Sequence, residues 1–182
     1  HNCLVGSEMC IRDSLNSVGE PDLKTEVFGT KMDMPIFLSP TAMQSLYHPD
    51  GDKASARAAE KFGTIYSMST MASFSIEEIA NLSSGPKIFQ LYIHKDQSIT
   101  DDLIDRCKRA NFNGMCITVD TIVAGNRERD HRTGFTTPPK FTLDSLMSFA
   151  MRPQWVFNYF TNKKFELANL KDKVEKGTNI AQ

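Results

Sequence analysis

The alternation of hydrophobic and polar stretches along the chain predicts four strand units in succession, with helices between them. Runs of apolar and β-branched residues, typical of short buried strands, stand at 34–42, 63–69, 87–93 and 114–120. Helical patterns stand at 52–62, 75–83 and 98–110. Because the units recur at intervals of about 25 residues, we expect parallel strands joined by crossover helices.

Local signals support this reading of the helices. Ser75 and Glu78 have the spacing of a capping box, which marks a helix start. Further on, Ile99, Leu103 and Ile104 form one apolar stripe with Ala110 further round, as expected for a helix packed on one face.

All four predicted strands become polar or small at their carboxyl ends. These positions are Ser39, Pro40, Thr41 and Ala42, then Ser69 and Thr70, then Gln90 and Tyr92, and finally Thr118 and Asp120. The strands can close in two ways, as an open doubly wound sheet or as a (β/α) barrel, and both folds bind ligands at this end. Ordinary strand-to-loop transitions explain any one of them, whereas four together favour a polar ligand across the strand ends.

Composition narrows the class of protein. The chain has 182 residues, of which 40% are hydrophobic and 24% charged, and its net charge of -1 gives no sign of a nucleic-acid binder. Cys3, Cys10, Cys107 and Cys116 lack the CxxC spacing of a zinc site, so we expect reduced thiols and no metal centre, as in a cytoplasmic protein. No signal peptide or membrane-spanning apolar run is visible in the sequence.

Three motifs carry a resemblance to a known family. The stretches "PTAMQSLYHPDGD", "FQLYIHKD" and "ITVDTIVAGNRERD" resemble the FMN-dependent α-hydroxy-acid oxidases and dehydrogenases, and the match runs from about residue 22 to 140. Beyond it, the sequence looks most like the bacterial respiratory L-lactate dehydrogenases. The resemblance implies an α/β fold, a TIM-type (β/α)8 barrel with FMN at its mouth.

The resemblance also implies roles for individual residues. The positions that match flavin contacts of the family are Pro40, Thr41, Ala42, Ser69, Gln90 and Thr118. Tyr92 matches a catalytic phenol that also binds the substrate. Asp120 matches the carboxylate that orients and stabilises the catalytic histidine. Arg127 and Met71 match substrate-side positions, although Arg127 stands in "NRERDHR", and charge-rich runs of this kind are usually solvated loops.

Other family features have no counterpart in this sequence. It holds no Gly-Gly-Arg motif with the family's catalytic histidine, and neither the fifth-strand lysine nor the substrate-clamping arginine is found. A (β/α)8 barrel needs about 250 residues. We therefore expect the first four βα units only, a partial barrel that is inactive by itself.

The chain divides into three parts on this reading. Residues 1–14 include "VGSEMCIRDS", which looks like translated adapter DNA, so we interpret them as a non-native lead segment; a divergent natural segment is the alternative. Residues 15–140 form the N-terminal half of the barrel. Residues 141–182 hold an insertion and the start of the next helix.

The insertion combines aromatic residues with lysines. Leu143, Leu146, Met147 and Ala150 follow helical spacing up to Pro153, and "QWVFNYF" then precedes Lys163 and Lys164. Aromatics beside lysines suit the headgroup boundary of a membrane, so residues 141–165 are predicted to attach the protein peripherally to the inner face of the cell membrane. A lid or a subunit-contact loop is the alternative.

The implied reaction is oxidation of an L-2-hydroxy acid, with L-lactate as the expected substrate, to a 2-oxo acid. The electron acceptor stays open among quinone, cytochrome and oxygen, and we expect the full-length protein to form a homo-oligomer. Two alternatives remain: an inactive remnant that holds flavin, or a non-flavin (β/α) barrel enzyme such as an aldolase or isomerase.

Overall fold

The computed structural model describes residues 20–119, 128–133, 147, 149–161 and 166–171. Its centre is a three-stranded parallel sheet in the order β3 (Tyr66–Ser69), β4 (Lys87–Tyr92) and β5 (Gly114–Thr118). A separate antiparallel hairpin, β1 (Thr25–Val27) and β2 (Thr30–Met32), precedes it. The parallel arrangement predicted from the alternating pattern is confirmed for these three strands, which do not close into a barrel.

Helices connect the strands as the sequence predicts. They are α1 (Gly51–Lys61), α2 (Ile76–Leu82) and α3 (Gln97–Arg109), with a 3₁₀ helix at Gln44–Leu46 before α1. Among the described residues after β5, α4 (Glu128–Thr133) and α5 (Pro153–Thr161) are helical. Pro153 lies in the first turn of α5, where a missing N–H leaves no helical hydrogen bond broken.

The capping box predicted before α2 is present. The Glu78 backbone N–H donates to Ser75 Oγ at 3.1 Å, and the Ser75 N–H donates to Glu78 Oε2 at 2.9 Å. Reciprocal capping satisfies two backbone donors that the helix start would leave open. The local sequence therefore determines where α2 begins.

The strand predicted at 34–42 does not form. The structure has one isolated parallel bridge there, between Leu38 and Tyr66, in which the Leu38 N–H donates to Ile65 and the Leu38 carbonyl accepts from Ser67. Pro35 and Pro40 flank this bridge. Because proline has no N–H to donate to a ladder, the two prolines limit the segment to a single point of pairing.

The hydrophobic core lies between the sheet and the helices α1, α2 and α3. Its fully buried members include Tyr66 and Met68 of β3, Phe89 of β4, Ile79 of α2 and Leu103 of α3. Leu170, more than sixty residues beyond Leu103 in the sequence, joins the same cluster with 1% of its surface exposed. The segment 166–171 therefore packs against the core formed by the sheet and its helices.

A glycine makes the turn from α1 toward β3. Gly63 has φ of +59°, in the left-handed region that favours glycine at helix ends. A Cβ at this position would collide with the Asp33 side chain. The absence of a Cβ lets the two backbones approach closely enough for the Asp33 N–H to donate to the Gly63 carbonyl at 2.8 Å.

The sequence predicts reduced cysteines and shows no membrane-spanning apolar run. Cys107 of α3 is a buried free thiol and Cys116 of β5 an exposed one, whereas Cys3 and Cys10 lie outside the described residues. In the described ranges, every helix is too short or too polar to cross a bilayer.

Candidate active site at the carboxyl ends of the strands

The parallel register brings the polar strand ends together. Ser69 of β3 pairs with Gln90 of β4, and Tyr92 of β4 pairs with Thr118 of β5. Since side chains alternate between the two faces of a strand, Ser69, Gln90, Tyr92 and Thr118 share one face. The opposite face carries the apolar residues that meet the helices.

The Gln90 side chain joins all three strands. Its Oε1 accepts a hydrogen bond from Ser69 Oγ at 3.1 Å, and its Nε2 donates to Thr118 Oγ1 at 2.7 Å. Ser69 and Gln90 are 4% and 6% exposed, while Thr118 is half-buried. An amide fixed at both ends in this way presents its remaining N–H in one orientation.

Thr70, which the sequence analysis named among the polar strand ends but gave no role, stabilises this arrangement through hydrogen bonds to both Gln90 and Tyr92. Its hydroxyl donates to the Gln90 carbonyl at 2.5 Å and accepts from the Tyr92 N–H at 3.2 Å. Its own N–H lies 3.4 Å from Gln90 Oε1. Thr70 is fully buried. The Ser-Thr pair at the carboxyl end of β3 is the sequence signal that placed it among the polar strand ends.

Met71 links the strand end to the segment that includes Pro40, Thr41 and Ala42. The Met71 N–H donates to Ser69 Oγ at 3.2 Å, and the Met71 carbonyl accepts from the Met43 N–H at 3.1 Å. The segment therefore lies beside the carboxyl end of β3 although it forms no strand of its own. Pro40 and Thr41 are exposed and Ala42 is half-buried, so a ligand has access to this backbone.

A groove of about 450 Å³ opens beside the same segment. Thr41, Gln44, Tyr47 and Tyr66 contribute to its walls, whereas Gln90 and Thr118 do not. The strand-end hydrogen bonds, rather than this groove, mark the predicted site, because they involve residues from three separate strands.

A buried carboxylate, Asp52, is hydrogen-bonded to Tyr66, which lines the groove. Asp52 of α1 is fully buried and accepts from the Tyr66 hydroxyl and the Ser73 N–H, each at 3.0 Å. Burial raises the pKa of Asp52 above its ordinary value, and these hydrogen bonds oppose the shift. Burial and the neighbouring Asp52 raise the pKa of Tyr66 well above its usual range, so this phenol remains a donor. The sequence analysis did not identify this pair.

The predicted site residues fall into two groups. The structure brings together Ser69, Met71, Gln90 and Thr118 through direct hydrogen bonds, and it places Tyr92 beside them through Thr70. Asp120 and Arg127 lie outside the described residues.

The available donors fit the flavin of FMN. The flavin's pyrimidine edge presents carbonyl oxygens and one N–H, which require donors and an acceptor. The Gln90 amide keeps one N–H after bonding Thr118, and the Thr118 hydroxyl, which accepts from Gln90, keeps its hydrogen. Gln90 and Thr118 are therefore able to hold this edge.

Comparison with known proteins agrees with this geometry. The model of the family described as FMN-dependent dehydrogenase matches residues 10–181. Glycolate oxidase 1 of Zea mays is 45% identical over 132 residues, which cover 72% of this chain and 36% of the maize enzyme. This chain thus spans about a third of the length of that relative.

Solved structures show the same likeness. A monotopic membrane protein, (S)-mandelate dehydrogenase, superposes with a TM-score of 0.80 at 30% identity, covering 86% of this chain and 42% of that one. A Pediococcus acidilactici protein designated a lactate oxidase superposes with a TM-score of 0.64 at 36% identity, covering 75% and 38%. With a family match over nearly its whole length and the flavin-compatible donors at its strand ends, the chain belongs to the FMN-dependent dehydrogenase family.

Proposed function

We propose that the protein carrying this chain oxidises an L-2-hydroxy acid to the 2-oxo acid with FMN, and that L-lactate is the substrate. The observation that carries the proposal is the hydrogen-bonded series Ser69–Gln90–Thr118 across three parallel strand ends. The remaining donors of this bridge suit a flavin edge, which favours a flavin enzyme over a non-flavin barrel enzyme. The relatives act on glycolate, mandelate and lactate by their names, so the choice of lactate rests on the resemblance of the sequence.

Some residues of this chain are proposed to bind the cofactor and others to bind the substrate. Bound FMN supplies the two-electron redox chemistry, while the protein supplies orientation and electrostatics. Gln90 and Thr118 hold the flavin edge, and Ser69 and Thr70 keep Gln90 in position. Tyr92 is proposed to bind the substrate with its phenol, and Met71 is proposed to shape the substrate pocket.

Flavin binding tests the cofactor part of the proposal. Thr118→Val keeps the shape but removes both the hydroxyl donor to the flavin and the acceptor that orients Gln90, so FMN affinity should fall at least about fivefold, the equivalent of one hydrogen bond. Titration of FMN fluorescence with purified protein measures it. Thr30→Val in the hairpin is the matched control, because Thr30 is also half-buried. Equal FMN affinity in Thr118→Val and Thr30→Val would contradict the assigned flavin contact.

Substrate oxidation is a separate measurement. The 182 residues alone are expected to bind FMN without losing its visible absorbance in the presence of L-lactate, because their sequence has no Gly-Gly-Arg motif with the family's histidine. Fusion to the later part of the maize glycolate oxidase barrel should restore the bleaching of the flavin by a hydroxy acid. Bleaching in the unfused chain would show that the assignment of the base is wrong.

Asp120 is proposed to stabilise the protonated histidine in the restored enzyme. Asp120→Asn removes the charge and keeps the shape, so kcat should fall by the equivalent of about 2–4 kcal/mol while KM changes less. FMN content should stay normal in this variant, because the carboxylate is assigned to the histidine. A variant that fails only by losing FMN would contradict this role. Arg127 is proposed to lie near the substrate carboxylate, and Arg127→Gln should raise KM.

Peripheral membrane attachment through 141–165 is also proposed, with the protein in the cytoplasm on the inner face of the membrane. On and beside α5, Met151, Phe157 and Phe160 are 70%, 67% and 79% exposed, and Lys163 and Lys164 follow in the sequence. Exposed apolar residues beside lysines favour an anionic lipid surface. One solved relative is a monotopic membrane protein.

Sedimentation with anionic lipid vesicles tests this attachment. The double variant Phe157→Ser, Phe160→Ser should remain in the supernatant, whereas Ile36→Ser, which removes a comparably exposed apolar residue elsewhere, should still sediment. Equal sedimentation of both variants would favour the lid or subunit-contact role of this segment.

A further inference from the structure

The loop between β3 and α2, residues 70–75, begins with residues of the candidate site. The Thr70 hydroxyl donates to the Gln90 carbonyl, and the Thr70 N–H donates to the same carbonyl at 3.0 Å. The Met71 N–H donates to Ser69 Oγ. Because Ser69 and Gln90 belong to the hydrogen-bonded series proposed to hold the flavin, the position of this loop affects the orientation of the Gln90 amide. We call it the β3–α2 loop.

The far end of the β3–α2 loop is bound by Asn169, which lies 95 positions from Phe74 in the chain. Asn169 Nδ2 donates to the Phe74 carbonyl at 3.4 Å, and Asn169 Oδ1 accepts from the Ile76 N–H at 3.1 Å. Ile76 is the first residue of α2, where a backbone N–H has no partner within the helix. A single side chain therefore joins the end of the loop to the start of the helix.

The Asn169 amide is buried, and its partners define its orientation. The residue is 3% exposed, and its Oδ1 also accepts from Arg106 Nη2 at 3.2 Å. The guanidinium of Arg106 and the N–H of Ile76 only donate, whereas the carbonyl of Phe74 only accepts. An exchange of the amide oxygen and nitrogen would therefore place donors against donors and leave buried polar groups unpaired.

The segment 166–171, which carries Asn169, is itself held against the core. Leu170 is 1% exposed and belongs to the core cluster. Arg106 donates to the Asn169 carbonyl through Nη1 at 3.5 Å and forms two hydrogen bonds of 2.7 Å with Glu77. Asn169 is thus fixed through both its backbone and its side chain, and it provides a firm support for the loop.

Other hydrogen bonds restrain the middle of the β3–α2 loop. The Ser73 N–H donates to Asp52 Oδ2 at 3.0 Å, and Ser73 Oγ accepts from the Ser45 N–H at 3.1 Å. Asn169 extends these restraints to Phe74. A site that is ordered before its ligand arrives loses less conformational entropy on binding. Removal of one restraint should therefore weaken binding even though no contact to the ligand is removed.

We propose that Asn169 is a positioning residue for the flavin-binding amide of Gln90, acting through the β3–α2 loop; this rests on the proposed function. Asn169 bonds the backbone at Phe74 and Ile76, the loop presents Thr70, and Thr70 holds Gln90. The role of Asn169 is therefore to limit the orientations that the amide samples before FMN binds.

Asn169→Asp separates the two halves of this side chain. The variant keeps the acceptor for Ile76 and Arg106 but removes the donor to the Phe74 carbonyl. FMN affinity of the purified chain, measured by fluorescence titration, should fall about threefold, and Asn169→Leu, which removes the donor and the acceptor, should lower it about fivefold. Hydrogen exchange of the peptide that contains residues 70–75, followed by mass spectrometry, should be faster in both variants.

Leu103→Ala is the matched control for a general loss of stability. Leu103 is fully buried in the same core, so its truncation lowers the free energy of unfolding while the bonds from Asn169 to the loop stay in place. FMN affinity and exchange of residues 70–75 should equal those of the parent chain under conditions in which circular dichroism shows every variant folded. Equal loss of FMN affinity in Asn169→Asp and Leu103→Ala would overturn the positioning role.

The titration of the parent chain separates this proposal from the proposed function. If the parent chain and both Asn169 variants bind FMN equally well, the positioning role alone is overturned. If the parent chain does not bind FMN, the proposed function is overturned together with this role. Faster exchange of residues 70–75 with unchanged FMN affinity would show that Asn169 holds the loop without orienting Gln90, which also overturns the proposal.

Discussion

The adjacent strands β4 and β5 are alike in sequence pattern and differ in burial. They pair in parallel over five residues, and Leu91 of β4 is directly opposite Ile117 of β5. Leu91 is 2% exposed, whereas Ile117 is 53% exposed. The helix α3 packs on β4, and Leu170 closes the same cluster. Burial of a strand therefore depends on the layer that covers it, which the pattern of the strand alone does not reveal.

The polar ends of the two strands behave differently from their apolar faces. Gln90 and Thr118 are joined by a hydrogen bond although one strand is covered and the other is open in the described part of the chain. Backbone register places these side chains together, and register needs only the neighbouring strand. The candidate site is thus less sensitive to the covering layer than the core is.

Thiol reactivity should give the largest contrast between the covered and the open side. Burial raises the pKa of Cys107 to about 12 from an ordinary 9, which lowers its thiolate fraction about a thousandfold at neutral pH. Cys116 is exposed. Iodoacetamide should therefore modify Cys116 in the native protein and spare Cys107 until urea is added, as followed by peptide mass spectrometry. Equal labelling of both cysteines before unfolding would contradict the assigned burial.

Truncation of the paired residues Leu91 and Ile117 is the next contrast. Leu91→Ala should lower the free energy of unfolding by about 2–5 kcal/mol, because it leaves a cavity in the core. Ile117→Ala removes a half-exposed side chain and should cost less than about 1 kcal/mol. Urea denaturation followed by circular dichroism measures both. Similar losses in the two variants would mean that β5 is covered as well as β4.

The buried carboxylate of Asp52 tests whether burial also increases the contribution of polar groups to the free energy of unfolding. Asp52→Ala leaves the Tyr66 hydroxyl and the Ser73 N–H without their acceptor, so we expect a loss of about 2–4 kcal/mol in the free energy of unfolding. Asp50→Ala, two residues away, removes an exposed side chain that caps no helix donor and should change it by under about 0.5 kcal/mol. If Asp50→Ala lowered the free energy of unfolding as much as Asp52→Ala, this interpretation would be wrong.

An ion pair on the covering layer should give the smallest effect. Glu77 of α2 and Arg106 of α3 form two hydrogen bonds of 2.7 Å, which lower the pKa of Glu77 to about 2. A folded-state pKa below the unfolded value of 4.5 stabilises the fold above that value, and this is lost as the pH falls toward 2. Half of the Glu77 side chain is exposed, so screening limits the gain to about 0.5–1 kcal/mol.

Glu77→Gln keeps the shape and removes the charge. Its unfolding free energy should lie below that of the parent chain at pH 7, and the difference should close below pH 2. Glu26→Gln in the hairpin is an exposed control, and its unfolding free energy at pH 7 should match that of the parent chain. A difference for Glu77→Gln that persists unchanged at low pH would show that the charge is not its cause.

The sequence by itself determined the elements whose signals are local. The periodicity of α1 and α3, the capping box of Ser75 and Glu78, and the three strands of the sheet all follow from residues a few positions apart. Local hydrogen bonds and the alternation of faces need no distant partner. The grouping of the polar strand ends was predictable once parallel strands were expected, because parallel pairing places successive carboxyl ends along one edge.

Only the tertiary structure decided which residues of these elements contact one another. The segment 34–42 pairs with β3 at one bridge, between Leu38 and Tyr66. Thr70 forms hydrogen bonds with both Gln90 and Tyr92, and Asp52 accepts one from Tyr66 inside the core. Leu170 joins the core cluster that covers β4, and the position of α5 depends on the hydrogen bond from Trp155 to the Leu46 carbonyl, 109 positions away in the chain. Each is a contact between residues far apart in the chain, whose free energy depends on burial and geometry that exist only after folding.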